Sequence, residues 1–175
     1  MTDTTIPNPE QIKERIMAID NIRDKALLSF LYLTGARISE VVKRFNVSNI
    51  QLQKKDSQII YLFRLYTEKT RKQGSYRNIP ISYENNKEYI GAIKDYISIA
   101  RLGIDSTMFS FSRTTAWNIC QNWLGFNPHF LRHIRLTHLV QDYGFADQKL
   151  VSFTGWKDSR PASVYTHLNW KDLVT

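Results

Sequence analysis

Two rhythms of apolar and polar positions run along this 175-residue chain. Helical spacing governs the first forty residues. "NPEQIKERIMAI" supplies Asn8 as an N-cap, Pro9 at the first helical position and Gln11 to close a capping box. "NIRDKALLSFLYLTG" predicts a second helix, capped by Asn21 and ended by Gly35 in the left-handed conformation. Its Ala26, Leu27, Phe30, Leu31 and Leu33 cover so much of the circumference that a core helix is expected. "ARISEVVKR" adds a short helix.

Near Val47 the rhythm changes. "SNIQLQ", "QIIYLFRLYTE" and "YRNIPIS" are rich in Ile, Tyr and Phe, and Gly74 separates the last two. They predict two or three antiparallel strands near residues 47–81. Helical spacing returns in "YENNKEYIGAIKDYISIARLG", where Tyr89, Ile93, Tyr96 and Ile97 form one stripe and Gly103 is the expected stop. "SRTTAWNICQNWLG" is capped by Ser112. "NPHFLRHIRLTHLVQDYG" starts on Asn127 and Pro128 and ends at Gly144. "ADQKLVSFTG" and "SRPASVYTHL" read as two more short helices. Trp117, Trp123, Phe126, Phe130 and Tyr143 are assigned to packing. The fold class is therefore α+β, mainly α, in a single domain: a helical bundle with one small antiparallel sheet inserted early.

Composition narrows the setting. Hydrophobic residues make up 42% of the chain, enough for a core, and no apolar run reaches the length of a membrane span. The polar start "MTDTTIPNPEQ" does not read as a signal peptide, and the lone Cys120 excludes an internal disulfide. An intracellular, cytoplasmic protein is expected. A net charge of +8 suits a polyanionic partner, although a basic protein without nucleic acid fits it as well. Phosphate-binding Gly-rich motifs are missing, His129 and His133 lack an evident third ligand, and no carboxylates pair closely. No nucleotide, metal or other cofactor is implied.

Three stretches could carry chemistry. In "PHFLRH", His129 and Arg132 share a helix face in the first turn, where an imidazole and a guanidinium can clamp a phosphate. In "TGARISE", Arg37 follows the end of a core helix and Glu40 lies three residues on, placed to hold the guanidinium. In "TEKTRKQGSYRNIPI", a hairpin carries Lys69, Arg71, Lys72 and Arg77 towards a groove or a phosphate. Each taken alone also fits a solvated basic surface.

Together, and in this order, the motifs resemble the tyrosine recombinases of the phage-integrase family. "TGARISEVV" resembles the family's first arginine box, "PHFLRHIRLTHLV" its His-x-x-Arg box, and "GW" followed by "VYTHL" its final box, with the aromatic nine residues before the nucleophilic Tyr. The resemblance runs from about Asn21 to Leu168. It implies the fold of a tyrosine-recombinase catalytic domain and site-specific DNA recombination by strand cleavage and rejoining through a covalent 3′-phosphotyrosine. It makes Tyr165 the nucleophile, Arg37 and Arg132 the phosphate clamp, and His129 a hydrogen-bond and proton-transfer partner. Trp156 stands where many members carry His, and its indole N–H can donate but cannot act as a base. Glu40 matches a supporting acidic residue. Lys72 matches the catalytic lysine, with Lys69 as the alternative register. Arg71, Arg77, His133 and Arg135 are assigned to DNA contacts.

The resemblance further implies double-stranded DNA as partner, no cofactor, no membrane, and a tetramer on two duplexes that is a monomer free in solution. The family's N-terminal helical domain is expected to be absent, and only ten residues follow Tyr165. The Lys-, Ile- and Asn-rich composition and Trp156 suit an integrase of an archaeal virus or mobile element. A DNA-binding module that lost catalysis, or a type IB topoisomerase or resolvase with the same chemistry, stays open at this point.

Overall fold

The computed structural model describes residues 6–67, 76–156 and 160–165. Local chemistry sets most helix boundaries. Helix α1, Pro9–Met17, carries the capping box between Asn8 and Gln11, and α2, Ile22–Thr34, is capped by the Asn21 side chain. Gly35 ends α2 at φ 60°, where its N–H bonds the Leu31 carbonyl. Every residue of α2 from Ala26 to Thr34 is buried, as its nearly all-round apolar surface predicts. A four-residue helix, α3, Ile38–Val41, begins straight after Arg37.

A short 3₁₀ turn, Val47–Asn49, leads into the antiparallel sheet β1 (Ile50–Lys55), β2 (Gln58–Tyr66) and β3 (Tyr76–Ser82), in that spatial order. Asp56 and Ser57 join β1 to β2 with φ of 49° and 68°, the backbone of a tight two-residue hairpin. Phe63 faces Ile79 and Leu65 faces Arg77 across β2 and β3. Along β3, Arg77, Ile79 and Ile81 alternate inward. Phe63 meets Phe30 edge-on at 5.3 Å, and Phe45 and Phe109 complete the cluster that joins sheet to bundle.

Helices α4 (Lys87–Ile99), α5 (Arg113–Leu124), α6 (Pro128–Gln141) and α7 (Asp147–Thr154) follow, and α4 and α6 pack on α2. Helix α4 stops earlier than Gly103. Arg101 takes the left-handed turn at φ 53°, and the Leu102 N–H reaches the Ile97 carbonyl to satisfy the helix end. "SRPASVYTHL" gives a 3₁₀ turn at Arg160–Val164. Trp117 and Trp123 are each 39% exposed and not core; the Trp123 indole N–H instead donates to Asp24 at 2.9 Å. Among the described residues no helix is long and apolar enough to cross a membrane.

One buried contact ties the first turn of the chain to the bundle. His138 Nε2 lies 2.7 Å from the Pro7 carbonyl, and Nδ1 lies 2.7 Å from the Tyr32 hydroxyl. A carbonyl only accepts, so the proton sits on Nε2 and Tyr32 donates to Nδ1. Burial pushes the His138 imidazole below its ordinary value of 6.5, against the opposing pull of the Pro7 carbonyl. The unfolded chain therefore takes up a proton that the folded chain resists. Stability should be fully present above about pH 6.5 and fall on acidification below it. Urea midpoints between pH 7.5 and pH 5.5 should show this slope, and His138→Asn should flatten it.

Candidate active site

Four segments distant in sequence meet around Arg132. Asn127 caps α6 by accepting from the Phe130 N–H at 2.9 Å, and Pro128 starts the helix. His129, Arg132 and His133 then fall at i, i+3 and i+4, on one face. The loop from Gly35 to Arg37 lies against that face, since Arg132 Nη1 donates to the Gly35 carbonyl. A cleft of about 310 Å³ opens here, lined by Arg37, Ser39, Trp117, His129 and Arg132 among others. The exposed His129 meets Trp117 edge-on at 6.2 Å.

Electrostatics make the cleft an anion site. Arg132 is 7% exposed, and its Nη2 finds no acceptor among the described residues. Burial, and then the like charge of Arg37, push its guanidinium down to about 10. Glu40 is the acidic group of this cluster and is largely spoken for. Its Oε1 and Oε2 accept from Arg77 at 3.0 and 2.9 Å, Oε2 also accepts from the Arg37 backbone N–H at 3.0 Å, and the Arg37 guanidinium stands at 3.5 Å. Burial alone would raise the Glu40 carboxyl, but the Arg77 hydrogen bonds and charge, the Arg37 N–H and Arg132 together hold it below 4.5. Among the described residues, three guanidinium groups thus share one carboxylate, leaving two positive charges in excess.

Tyr165 completes the group. Its hydroxyl lies 3.2 Å from His133 Nδ1, and its ring stacks on Trp156 at 6.1 Å and 19°. Arg132 stands 5.9 Å from the Trp156 ring. Burial pushes the Tyr165 hydroxyl above its ordinary 10.0, and the Arg132 charge pulls the other way. Arg37, His129 and Arg132 therefore share the cleft, while Trp156 and Tyr165 adjoin Arg132.

Two assignments to DNA contacts are corrected. Arg77 is buried: it shares the inward parity of Ile79 and Ile81, pairs with Glu40, and donates through Nε to the Phe153 carbonyl at 3.0 Å. Arg135 is 4% exposed because it lies on the core-facing stripe with Leu131, Ile134 and His138. Its guanidinium stands 5.0 Å from the Tyr32 ring and 5.7 Å from the Tyr143 ring. His133, also assigned to DNA, is half-buried between Phe130 and Tyr165. Lys69, Arg71 and Lys72 lie outside the described residues.

Gly155 is the hinge between α7 and Trp156, at φ 76°. A Cβ there would sit 3.0 Å from Arg77 Cδ and 3.2 Å from Thr67 Cγ2. Gly155→Ala combines backbone strain with displacement of Arg77, and should cost about 1–3 kcal/mol. A lowered urea midpoint would register it.

Comparison with known proteins places the fold first. The chain superposes on the XerH site-specific recombinase bound to difH substrate in a pre-cleavage complex, with a TM-score of 0.71 over 97% of this chain and 52% of that one, at 16% identity. The fold is that of a tyrosine-recombinase catalytic domain. Residues 8–171 match the model of the phage integrase family, and the chain belongs to that family. It is 30% identical over 175 residues to the tyrosine recombinase XerC of Roseiflexus castenholzii, covering 89% of this chain and 51% of the relative. It is 28% identical over 182 residues to the tyrosine recombinase XerD of Neisseria meningitidis serogroup A, covering 94% of this chain and 58% of the relative. The chain thus spans about half the length of these relatives.

Proposed function

We propose that this chain carries the catalytic machinery of a site-specific DNA recombinase, which cuts and rejoins strands through a covalent 3′-phosphotyrosine at Tyr165. The observation that carries the reading is the buried, incompletely partnered Arg132 guanidinium beside Arg37, with the Tyr165 hydroxyl next to it. A scissile phosphodiester brings one negative charge, and its pentacoordinate transition state brings about two. Two surplus guanidinium charges match that state better than the ground state, which is the condition for catalysis.

Each role follows from placement and chemistry. Arg132 and Arg37 hold the nonbridging oxygens, with His129 on the open side of the same cleft. The Tyr165 oxygen attacks phosphorus and the 5′ oxygen leaves. Lys72, or Lys69 in the other register, supplies the leaving group's proton. Trp156 packs against the Tyr165 ring and lies beside Arg132, where its indole N–H can donate to a phosphate oxygen. Bond energy is conserved in the phosphotyrosine, so rejoining needs no ATP. Contact between Tyr165 and His133 of the same chain supports attack within one subunit. Double-stranded DNA is the partner, consistent with the +8 charge; a tetramer on two duplexes, monomeric when free, is the working assembly in the cytoplasm.

Incubation with supercoiled plasmid in EDTA, stopped with SDS, tests the reading. Relaxed plasmid and a protein–DNA adduct are expected. Retarded DNA with no adduct would instead make the chain a binding module of the same fold.

A further inference from the structure

Resting on the recombinase reading, we infer that His133 is a catalytic residue: it orients the Tyr165 hydroxyl and takes its proton as the oxygen attacks phosphorus. The geometry is specific. His133 follows Arg132 directly on α6, so one helix turn presents both the clamp and an imidazole nitrogen 3.2 Å from the Tyr165 oxygen. The ring is held on both sides, by Phe130 at 6.0 Å and 24° and by Tyr165 at 5.1 Å. Four residues earlier in the first turn, His129 faces the open cleft against Trp117 instead. The two histidines thus have different neighbours, one the cleft where the phosphate would lie and one the nucleophile.

The nucleophile needs such a partner. Burial holds the Tyr165 proton more tightly than in water, and the Arg132 charge opposes this only in part. Trp156, its other close neighbour, offers no lone pair for a proton. With its own proton on Nε2, His133 accepts the phenolic proton at Nδ1. The step balances as follows: the Tyr165 oxygen–phosphorus bond forms, the phosphorus–O5′ bond breaks, and the phenolic proton passes to His133. The departing 5′ oxygen takes a proton from a separate ammonium or water donor. On rejoining, the 5′ hydroxyl attacks the phosphotyrosine and His133 returns the proton to Tyr165.

Single-turnover adduct formation on nicked DNA tests this in the unsubstituted chain, His133→Leu and His133→Asn. DNA retardation and thermal midpoint are followed in parallel. Loss of a positioned proton acceptor should slow adduct formation by about 10²–10⁴-fold while DNA binding is retained. The Asn amide oxygen keeps a hydrogen-bond acceptor near Nδ1 but takes up no proton, so His133→Asn should fold and still be slow; it carries the test if the Leu variant fails to fold. Replacing Tyr165 with 3-fluorotyrosine, a more acidic phenol, should recover about tenfold or more in the His133 variants and little in the parent. Adduct rates within about threefold of the parent, or a loss that fluorotyrosine leaves untouched, would overturn the role. An unsubstituted chain that forms no adduct overturns the recombinase reading itself, and the inference with it.

Discussion

Tyr165→Phe should abolish the protein–DNA adduct and plasmid relaxation while leaving DNA retardation close to that of the unsubstituted chain. The substitution removes one oxygen from a half-buried ring stacked on Trp156. It loses a single hydrogen bond to His133, worth about 1 kcal/mol of stability. The clamp, by contrast, keeps every charge, so affinity for the phosphate backbone persists. The core tyrosines Tyr32 and Tyr89 are poorly suited to inherit the role. Tyr32 donates to His138 in the core, and burial pushes it up to about 12. Tyr89 is raised further still by burial. Gel electrophoresis of end-labelled DNA after SDS quenching reads the result. A surviving adduct in Tyr165→Phe would place the nucleophile elsewhere and remove the basis of the proposed chemistry.

What the chain's letters disclosed, and what they hid, divides along the range of the interactions. Asn8, Asn21, Ser112, Asn127 and Gly35 act within four residues of themselves, and each sits at the helix end that its chemistry predicts. Helical spacing joined His129 to Arg132, and only the resemblance to the family added Arg37, which lines the same cleft. The buried cations were misread. A basic residue near a hairpin suggests solvent or DNA, yet Arg77 shares strand parity with Ile79 and Ile81, and Arg135 shares helix phase with Leu131 and Ile134. That phase was the available signal. Their partners were not available: Glu40 is 37 residues from Arg77, and Tyr165 is 32 from His133. Trp117 and Trp123 fail in the other direction, since a large aromatic lining a cleft or bonding Asp24 has the same spacing as one in a core.

Glu40→Gln should be the most destabilising single change near the site, at about 3–5 kcal/mol. The Glu40 side chain is fully buried and that of Arg77 is 7% exposed. An amide cannot accept from Arg77 at both positions and from the Arg37 N–H, so a guanidinium is left charged and under-partnered in the interior. A domain of this size has a net stability of about 5–15 kcal/mol, so the loss is a large fraction of the whole. The sign of the pH dependence follows from the carboxyl lying below 4.5 when folded. Its contribution is fully present above about pH 4.5 and disappears as pH falls through the folded value. Acid unfolding should therefore shift to higher pH in Glu40→Gln. Removing both charges, as in Glu40→Leu with Arg77→Met, should recover much of the stability, because the uncompensated charge causes the damage. Activity should not return with it. The double variant leaves Arg37 without the carboxylate that accepts from its backbone N–H and stands beside its guanidinium, and one half of the phosphate clamp then lacks its fixed pose. Urea denaturation of the single and double variants, set beside their adduct yields, separates the two consequences; full recovery of both would show that Glu40 only fills space.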